Sequence, residues 1–107
     1  MPDLVAAVAE PNRRRLLQLL GPGEQTVTAL ASHFPVSRSA ISQHLAVLAA
    51  AGLVASRREG RFQYYRLNPA GVAALRAELE SFWTRELEQL AKDALAISQH
   101  HEPEGVP

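Results

Sequence analysis

Ser37, Arg38, Ser39, Ser42 and Gln43 lie together in one short segment. Hydroxyl and amide side chains both donate and accept hydrogen bonds, and a guanidinium can grip both acceptors of a guanine edge. At the start of a helix such a set can read base edges in a major groove, with the free amide N–H groups close to a phosphate. A second group, Arg57, Arg58 and Arg61, brackets Gly60 and offers charge to phosphates or to a minor groove. Each group also has a plainer role. Ser37 can serve simply as a helix cap, and three arginines can keep an exposed edge strand in solution.

Other chemistry is poorly provided for. The sequence contains no cysteine, which excludes a disulfide framework, thiolate zinc sites and a cysteine nucleophile. Its four histidines fall in three separate segments, and no carboxylate is held against one in an apparent pocket. Gly21-Pro22-Gly23 reads as a turn, not a phosphate-binding loop. No enzyme activity and no cofactor are therefore expected.

At 107 residues and 11.7 kDa the chain is one domain's worth, with 47% hydrophobic and 21% charged residues, ordinary values for a folded protein. Its longest apolar run, Leu45 to Ala55 counting Gly52, is far shorter than the roughly 20 residues a membrane span needs. Met1-Pro2-Asp3 places no basic segment ahead of an apolar stretch, so no secretory signal is expected and a soluble, cytoplasmic protein is.

The elements that must position these residues follow from local signals. Asp3 can cap a short apolar helix, Leu4 to Ala9, and Pro11 suits the first position of a second, Pro11 to Leu20. Thr26 caps a third helix predicted to reach about His33, a residue placed near the helix's C-terminal dipole. Pro35 interrupts the chain. Ser37 caps a fourth helix, on which Ile41, Leu45, Leu48 and Ala49 keep helical spacing until Gly52 closes it near Ala51. The third and fourth helices, joined by a short turn, form a helix-turn-helix by spacing. Leu53 to Arg58 and Phe62 to Leu67 then read as a hairpin across Glu59-Gly60-Arg61. Asn68-Pro69 opens a last helix running to about Ser98, with Val72, Leu75, Leu79, Phe82 or Trp83, Leu87, Leu90, Ala94 and Ile97 at intervals of three or four. A helix of about 30 residues spans ~45 Å, longer than a small domain is wide. One side of it should meet something else, and a second copy is the simplest candidate.

Zero net charge conceals an uneven distribution. Residues 13–66 hold eight arginines (Arg13, Arg14, Arg15, Arg38, Arg57, Arg58, Arg61 and Arg66) against Glu24 and Glu59, a net of +6. Residues 67–107 hold Arg76, Arg85 and Lys92 against seven acids, a net of −4. A basic centre with acidic ends suits one surface that meets a polyanion and another that faces away.

Taken in order, Pro11-Asn12-Arg13-Arg14-Arg15-Leu16-Leu17, Ser37-Arg38-Ser39-Ala40-Ile41-Ser42-Gln43-His44-Leu45, Ala51-Gly52-Leu53-Val54, Arg58-Glu59-Gly60-Arg61 and Tyr65-Arg66-Leu67 strongly resemble the ArsR/SmtB family of bacterial winged-helix repressors. The resemblance covers about residues 3–98. It implies a mainly α fold of five helices with a small β-hairpin wing, a winged helix-turn-helix that dimerises through its first and last helices. By that likeness the helix beginning at Ser37 reads DNA through Arg38, Ser39, Ser42 and Gln43, and Glu59-Gly60-Arg61 is the wing. His44 would either touch phosphate or pack under the helix. The dimer seam would use Leu4 and Val8 of the first helix with Leu75, Leu79, Phe82, Trp83, Leu87 and Leu90 of the last.

The sequence also departs from that family. It lacks the cysteines of its metal sensors, and the last helix has no histidine between Asn68 and Ser98; Leu95 stands where the metal pattern wants one after Asp93. No metal site is expected, and His100, His101, Glu102 and Glu104 are left to a flexible tail over residues 99–107, with weak zinc ligation as the alternative. Leu79, Phe82 and Trp83 could instead line a small apolar pocket, and no small-molecule effector is named by the sequence. The expected function is a homodimeric repressor on double-stranded DNA carrying a near-palindromic operator. The competing reading is a winged-helix module that binds protein.

Overall fold

In the computed structural model, residues 3–100 are described, although not the side chain of His100. The element order is α1 (Leu4–Ala9), α2 (Pro11–Leu20), β1 (Gln25–Thr26), α3 (Val27–Ala31), α4 (Arg38–Ala50), β2 (Val54–Glu59), β3 (Phe62–Leu67) and α5 (Pro69–His100). Five helices and a small antiparallel sheet make a winged helix-turn-helix.

Local capping sets the helix starts. The Asp3 carboxylate accepts from the amides of Val5 and Ala6, Thr26 Oγ1 from Ala29, and Ser37 Oγ from Ala40. Asn68 Oδ1 accepts from Ala70 at 3.2 Å while Pro69 supplies a first-turn φ. Glu10 caps α2, its Oε2 accepting from the Arg13 amide at 2.9 Å, a cap not read from the sequence.

Two expectations about elements are corrected. The third helix ends at Ala31, short of His33, because the next amides bond three residues back rather than four: His33 to Leu30 and Phe34 to Ala31. The chain tightens ahead of Pro35, which disfavours helical geometry in the residue before it. The wing is a sheet of three strands rather than a hairpin alone, in the order β1-β3-β2, with Gln25 opposite Tyr65 and Thr26 opposite Tyr64. Between β2 and β3, Glu59 pairs with Phe62, leaving a two-residue turn in which Gly60 has φ of 60°.

The core draws one face from each of several elements: Ala7, Leu16, Leu20, Val27, Leu30, Ile41, Leu45, Leu48, Leu53 and Val54 are buried. Leu4, Val8, Leu75, Tyr65 and Leu67 pack on its edge. Asn68 ties the end of β3 to the corner after α4, donating from Nδ2 to the Gly52 carbonyl at 2.9 Å and from its amide to Leu53.

α5 leaves this body behind. Its 32 residues span about 48 Å at 1.5 Å each. The molecule is 72 Å long and 29 Å across, with a radius of gyration of 20.3 Å against ~13 Å for a compact chain of this size. The apolar stripe changes phase along the helix. Val72, Leu75, Leu79 and Phe82 follow one 3-4-3 spacing, and Trp83, Leu87, Leu90, Ala94 and Ile97 follow a second, displaced by one residue. The first register reaches the domain's own core edge through Leu75; the second lies away from that core, with Trp83, Leu87, Leu90 and Ile97 exposed. The helix continues past Ser98 to His100, so residues 99 and 100 of the expected tail are helical, and the rest of it, His101 with Glu102 and Glu104, lies outside the described residues.

Candidate nucleic-acid interface

Ile41, Leu45 and Leu48 are fully buried, which fixes the rotation of α4. At 100° per residue, Ser39, Gln43, Ala46 and Ala50 then form the stripe directly opposite the core, with Ser42 beside it. Arg38, Ser39, Ser42 and Gln43 are all exposed, and the buried seam holds them from behind. Ala46 was not picked out by residue type. Its signal is positional: a methyl at i+3 from Gln43 leaves room for a close approach along the polar stripe. Ser37 is exposed but its hydroxyl is already engaged as the cap at 3.1 Å.

The arginines of the basic centre divide into two kinds. Arg13 is committed internally: its Nε donates to the Ala7 carbonyl at 2.6 Å and its Nη2 to the Ala6 carbonyl at 3.4 Å, closing the C-terminal end of α1. Its Nη1 lies 3.4 Å from His44 Nδ1, which accepts when that nitrogen carries no proton. The same Nδ1 is 3.7 Å from Glu10 Oε2. Of the two placements open to His44, the structure has it packed against α2, half-buried in this Glu10–Arg13–His44 group. Arg57 is committed as well, to Glu24 and Glu59. By contrast Arg38, Arg58 and Arg61 are exposed and have no ion-pair partner among the described residues.

The structure therefore separates the nine residues proposed from sequence. Arg38, Ser39, Ser42, Gln43, Arg58 and Arg61 are exposed and have no side-chain partner among the described residues; Ser37, His44 and Arg57 have partners of their own. The expected seam divides too. Leu4, Val8 and Leu75 sit half-buried at the core edge and Leu79 is half-buried on α5, whereas Phe82, Trp83, Leu87 and Leu90 are 43%, 56%, 59% and 58% exposed. Phe82 and Trp83 meet edge to face with ring centroids 5.6 Å apart. Around the stripe, Val72, Leu79, Trp83 and Leu87 border an open apolar concavity. Among the described residues no three histidine, aspartate or glutamate side chains gather as a metal site, and no helix is long and apolar enough to cross a membrane.

Two carboxylates carry a pH signature. Partial desolvation pushes Glu10 up, but the amides of Arg13 and Asn12 and the charges of His44 and Arg13 outweigh it and hold the group below its ordinary 4.5. Glu24 is lowered by its hydrogen bonds to Arg57, against a smaller desolvation effect, with the charges of Arg57 and Arg66 adding to the fall. Both pKa values are depressed in the folded state, so the stabilisation is complete above the ordinary value and disappears as pH falls through the lower folded values. Urea unfolding midpoints at pH 6 and pH 3.5 should fall further for the wild type than for a Glu10→Gln/Glu24→Gln variant. Equal losses would show that neither carboxylate contributes to acid sensitivity.

An apolar-backed polar helix, a preceding short helix and a wing define the winged helix-turn-helix class of DNA-binding proteins. Residues 8–57 match the model of a helix-turn-helix domain family. The chain is 48% identical over 81 residues to the HTH-type transcriptional regulator Rv2034 of Mycobacterium tuberculosis, covering 76% of each protein. It is 40% identical over 68 residues to the transcriptional repressor SdpR of Bacillus subtilis, 64% of this chain and 76% of that one. A crystal structure described as a possible transcriptional regulator for arsenical resistance superposes with a TM-score of 0.79 at 61% identity, over 87% of this chain and 97% of that one. The chain belongs to the ArsR/SmtB family of transcriptional regulators.

Proposed function

We propose that this regulator is a homodimeric repressor that binds a near-palindromic operator and blocks transcription by occupying it. Each subunit presents α4 to a major groove, and the two reading helices lie in successive grooves on one side of the duplex. Ser39, Ser42 and Gln43 contact base edges, Arg38 contacts a base or phosphate at the helix start, and Arg58 and Arg61 hold the flanking backbone. Ala46 lets the helix seat closely and is suited to a thymine methyl. The observation that carries this reading is the exposed Ser39–Gln43–Ala46 stripe held opposite the fully buried Ile41, Leu45 and Leu48.

Fluorescence anisotropy on the duplex upstream of the protein's own gene, beside a scrambled duplex and at two salt concentrations, tests it. Expected is tighter binding to the upstream duplex by ~10³ or more with a steep salt dependence. Equal, weak binding to both would overturn self-regulation and move a protein partner to first place. Within a specific complex, Gln43→Ala should cost about 1–3 kcal/mol on the operator and little on the scrambled duplex. Arg61→Ala should weaken both alike. Equal losses for Gln43→Ala on the two duplexes would remove Gln43 from base readout.

A further inference from the structure

Consecutive arginines on a strand point to opposite faces of the sheet. Arg57 stands with Glu59, Phe62 and Tyr64 on one face of the wing, and Arg58 on the other with Val54 and Ser56. On its face Arg57 is engaged by two carboxylates. Its Nε donates to Glu24 Oε2 at 3.0 Å and its Nη2 to Glu24 Oε1 at 2.7 Å, a bidentate grip, while Nη1 donates to Glu59 Oε2 at 3.2 Å. The guanidinium carbon lies 4.4 Å from the centroid of the Tyr64 ring, and Phe62 meets that ring edge-on at 6.4 Å. Every guanidinium nitrogen donates one bond to a carboxylate, so a phosphate approaching from that side meets Glu24 and Glu59 first, although the side chain stays 44% exposed. The ion pairing also holds Arg57 more firmly protonated than a free guanidinium.

Glu24 belongs to the connection between α2 and β1. β1 supports β3 only at Tyr64 and Tyr65, so the wing beyond them, Arg58 through Gln63, is a bare two-stranded ribbon. Such ribbons twist and splay easily unless packed on something. The Glu24–Arg57 pair is the one side-chain ion pair that joins β2 to an element outside the hairpin among the described residues.

We infer that Arg57 is a positioning residue that braces the wing against the α2–β1 connection, not a DNA contact. The brace sets where Arg58 and Arg61 stand relative to the reading helix. The wing's role in DNA binding rests on the function proposed above; the brace itself can be measured without DNA.

Two measurements on Glu24→Gln, Arg57→Gln and the double variant test it. In free protein, amide hydrogen exchange should show residues 58–63 losing protection equally in all three, with the urea midpoint nearly unchanged. Unchanged protection in Glu24→Gln would overturn the brace whatever DNA does. On an operator duplex, each variant should bind about threefold to fivefold more weakly, in keeping with an exposed but bidentate pair, and the double variant no worse than either single. The slope of log affinity against log salt should stay at the wild-type value. A phosphate contact would behave differently: Arg57→Gln would lower that slope by about 0.9, and Glu24→Gln would leave binding equal or tighter, which overturns the inference. If exchange responds as expected but the wild type binds no duplex specifically, the brace stands and the repressor reading falls.

Discussion

Gly71→Ala should destabilise the domain by about 2 kcal/mol or more and lower its melting temperature by roughly 10 °C. Position 71 lies in the first turns of α5, where helix propensity alone predicts the opposite, since alanine is favoured over glycine in a helix by about 1 kcal/mol. A further few tenths would come from restricting the unfolded chain. The packing decides the sign. A Cβ built on Gly71 runs into the carbonyl oxygen of Gly52, lies 2.7 Å from its carbon, and comes 3.2 Å from the Leu53 Cα. These are backbone atoms with no rotamer to escape into. Gly52 itself sits at φ of 79° and its carbonyl is held by Asn68, so the corner after α4 is fixed from both sides. Either the start of α5 lifts away from Gly52 or the corner deforms, and both expose Leu53 and Leu75. Calorimetry of Gly71→Ala beside Ala74→Gly, an exposed site on the same helix, separates the two effects. A melting temperature raised by Gly71→Ala would show that propensity wins and that the close approach is soft.

The contact between Gly52 and Gly71 marks the boundary of what sequence reading reaches. Signals that act within a turn or two were legible: the Asp3, Thr26 and Ser37 caps, Gly60 in the wing turn, Asn68-Pro69 ahead of α5. Each depends on residues no more than four apart. β1 escaped because two residues carry no alternation, and Gln25-Thr26 becomes a strand only by pairing with Tyr64 and Tyr65 far along the chain. The premature end of α3 escaped because Phe34 keeps the apolar period after the backbone has already tightened.

For the candidate site the same division holds by residue. Gln43 and Ser39 stand out in the sequence by residue type at the start of the helix and by the resemblance, and the buried Ile41, Leu45 and Leu48 leave both exposed on the opposite side. Charge alone made Arg13, Arg57 and Arg58 look equivalent. They differ only through partners brought in by the fold: the α1 carbonyls and His44 for Arg13, Glu24 for Arg57, none for Arg58 among the described residues. A net of +6 over residues 13–66 therefore overstates the charge available to a polyanion, since part of it neutralises carboxylates and closes a helix end.

The distal half of α5 supports the second large prediction, that Leu90→Glu should turn the proposed dimer into a folded monomer with little operator affinity. Trp83, Leu87, Leu90, Ala94 and Ile97 repeat at 4-3-4-3, the spacing that keeps one stripe facing a partner helix. Leu87, Leu90 and Ile97 are 59%, 58% and 65% exposed, although the first half of the same helix is anchored by Leu75 in the domain. Burying each such leucine against a second copy contributes about 1.5–3 kcal/mol, and two-fold symmetry counts every substitution twice. A carboxylate in the seam loses that contribution and adds a desolvation cost, enough to raise the dissociation constant by ~10³ or more. Because Leu90 touches none of the core, the urea midpoint at low protein concentration should barely move. Sedimentation equilibrium should report a monomer, and anisotropy should show operator binding falling toward the scrambled-duplex value, because each monomer holds only one half-site. If Leu90→Glu stays dimeric with operator affinity intact, the seam does not run through the distal register, and pairing must rest on α1 and the Val72–Phe82 half of α5. If it becomes monomeric yet still binds the operator fully, one copy is enough to read the site, and the two-fold reading of the operator fails.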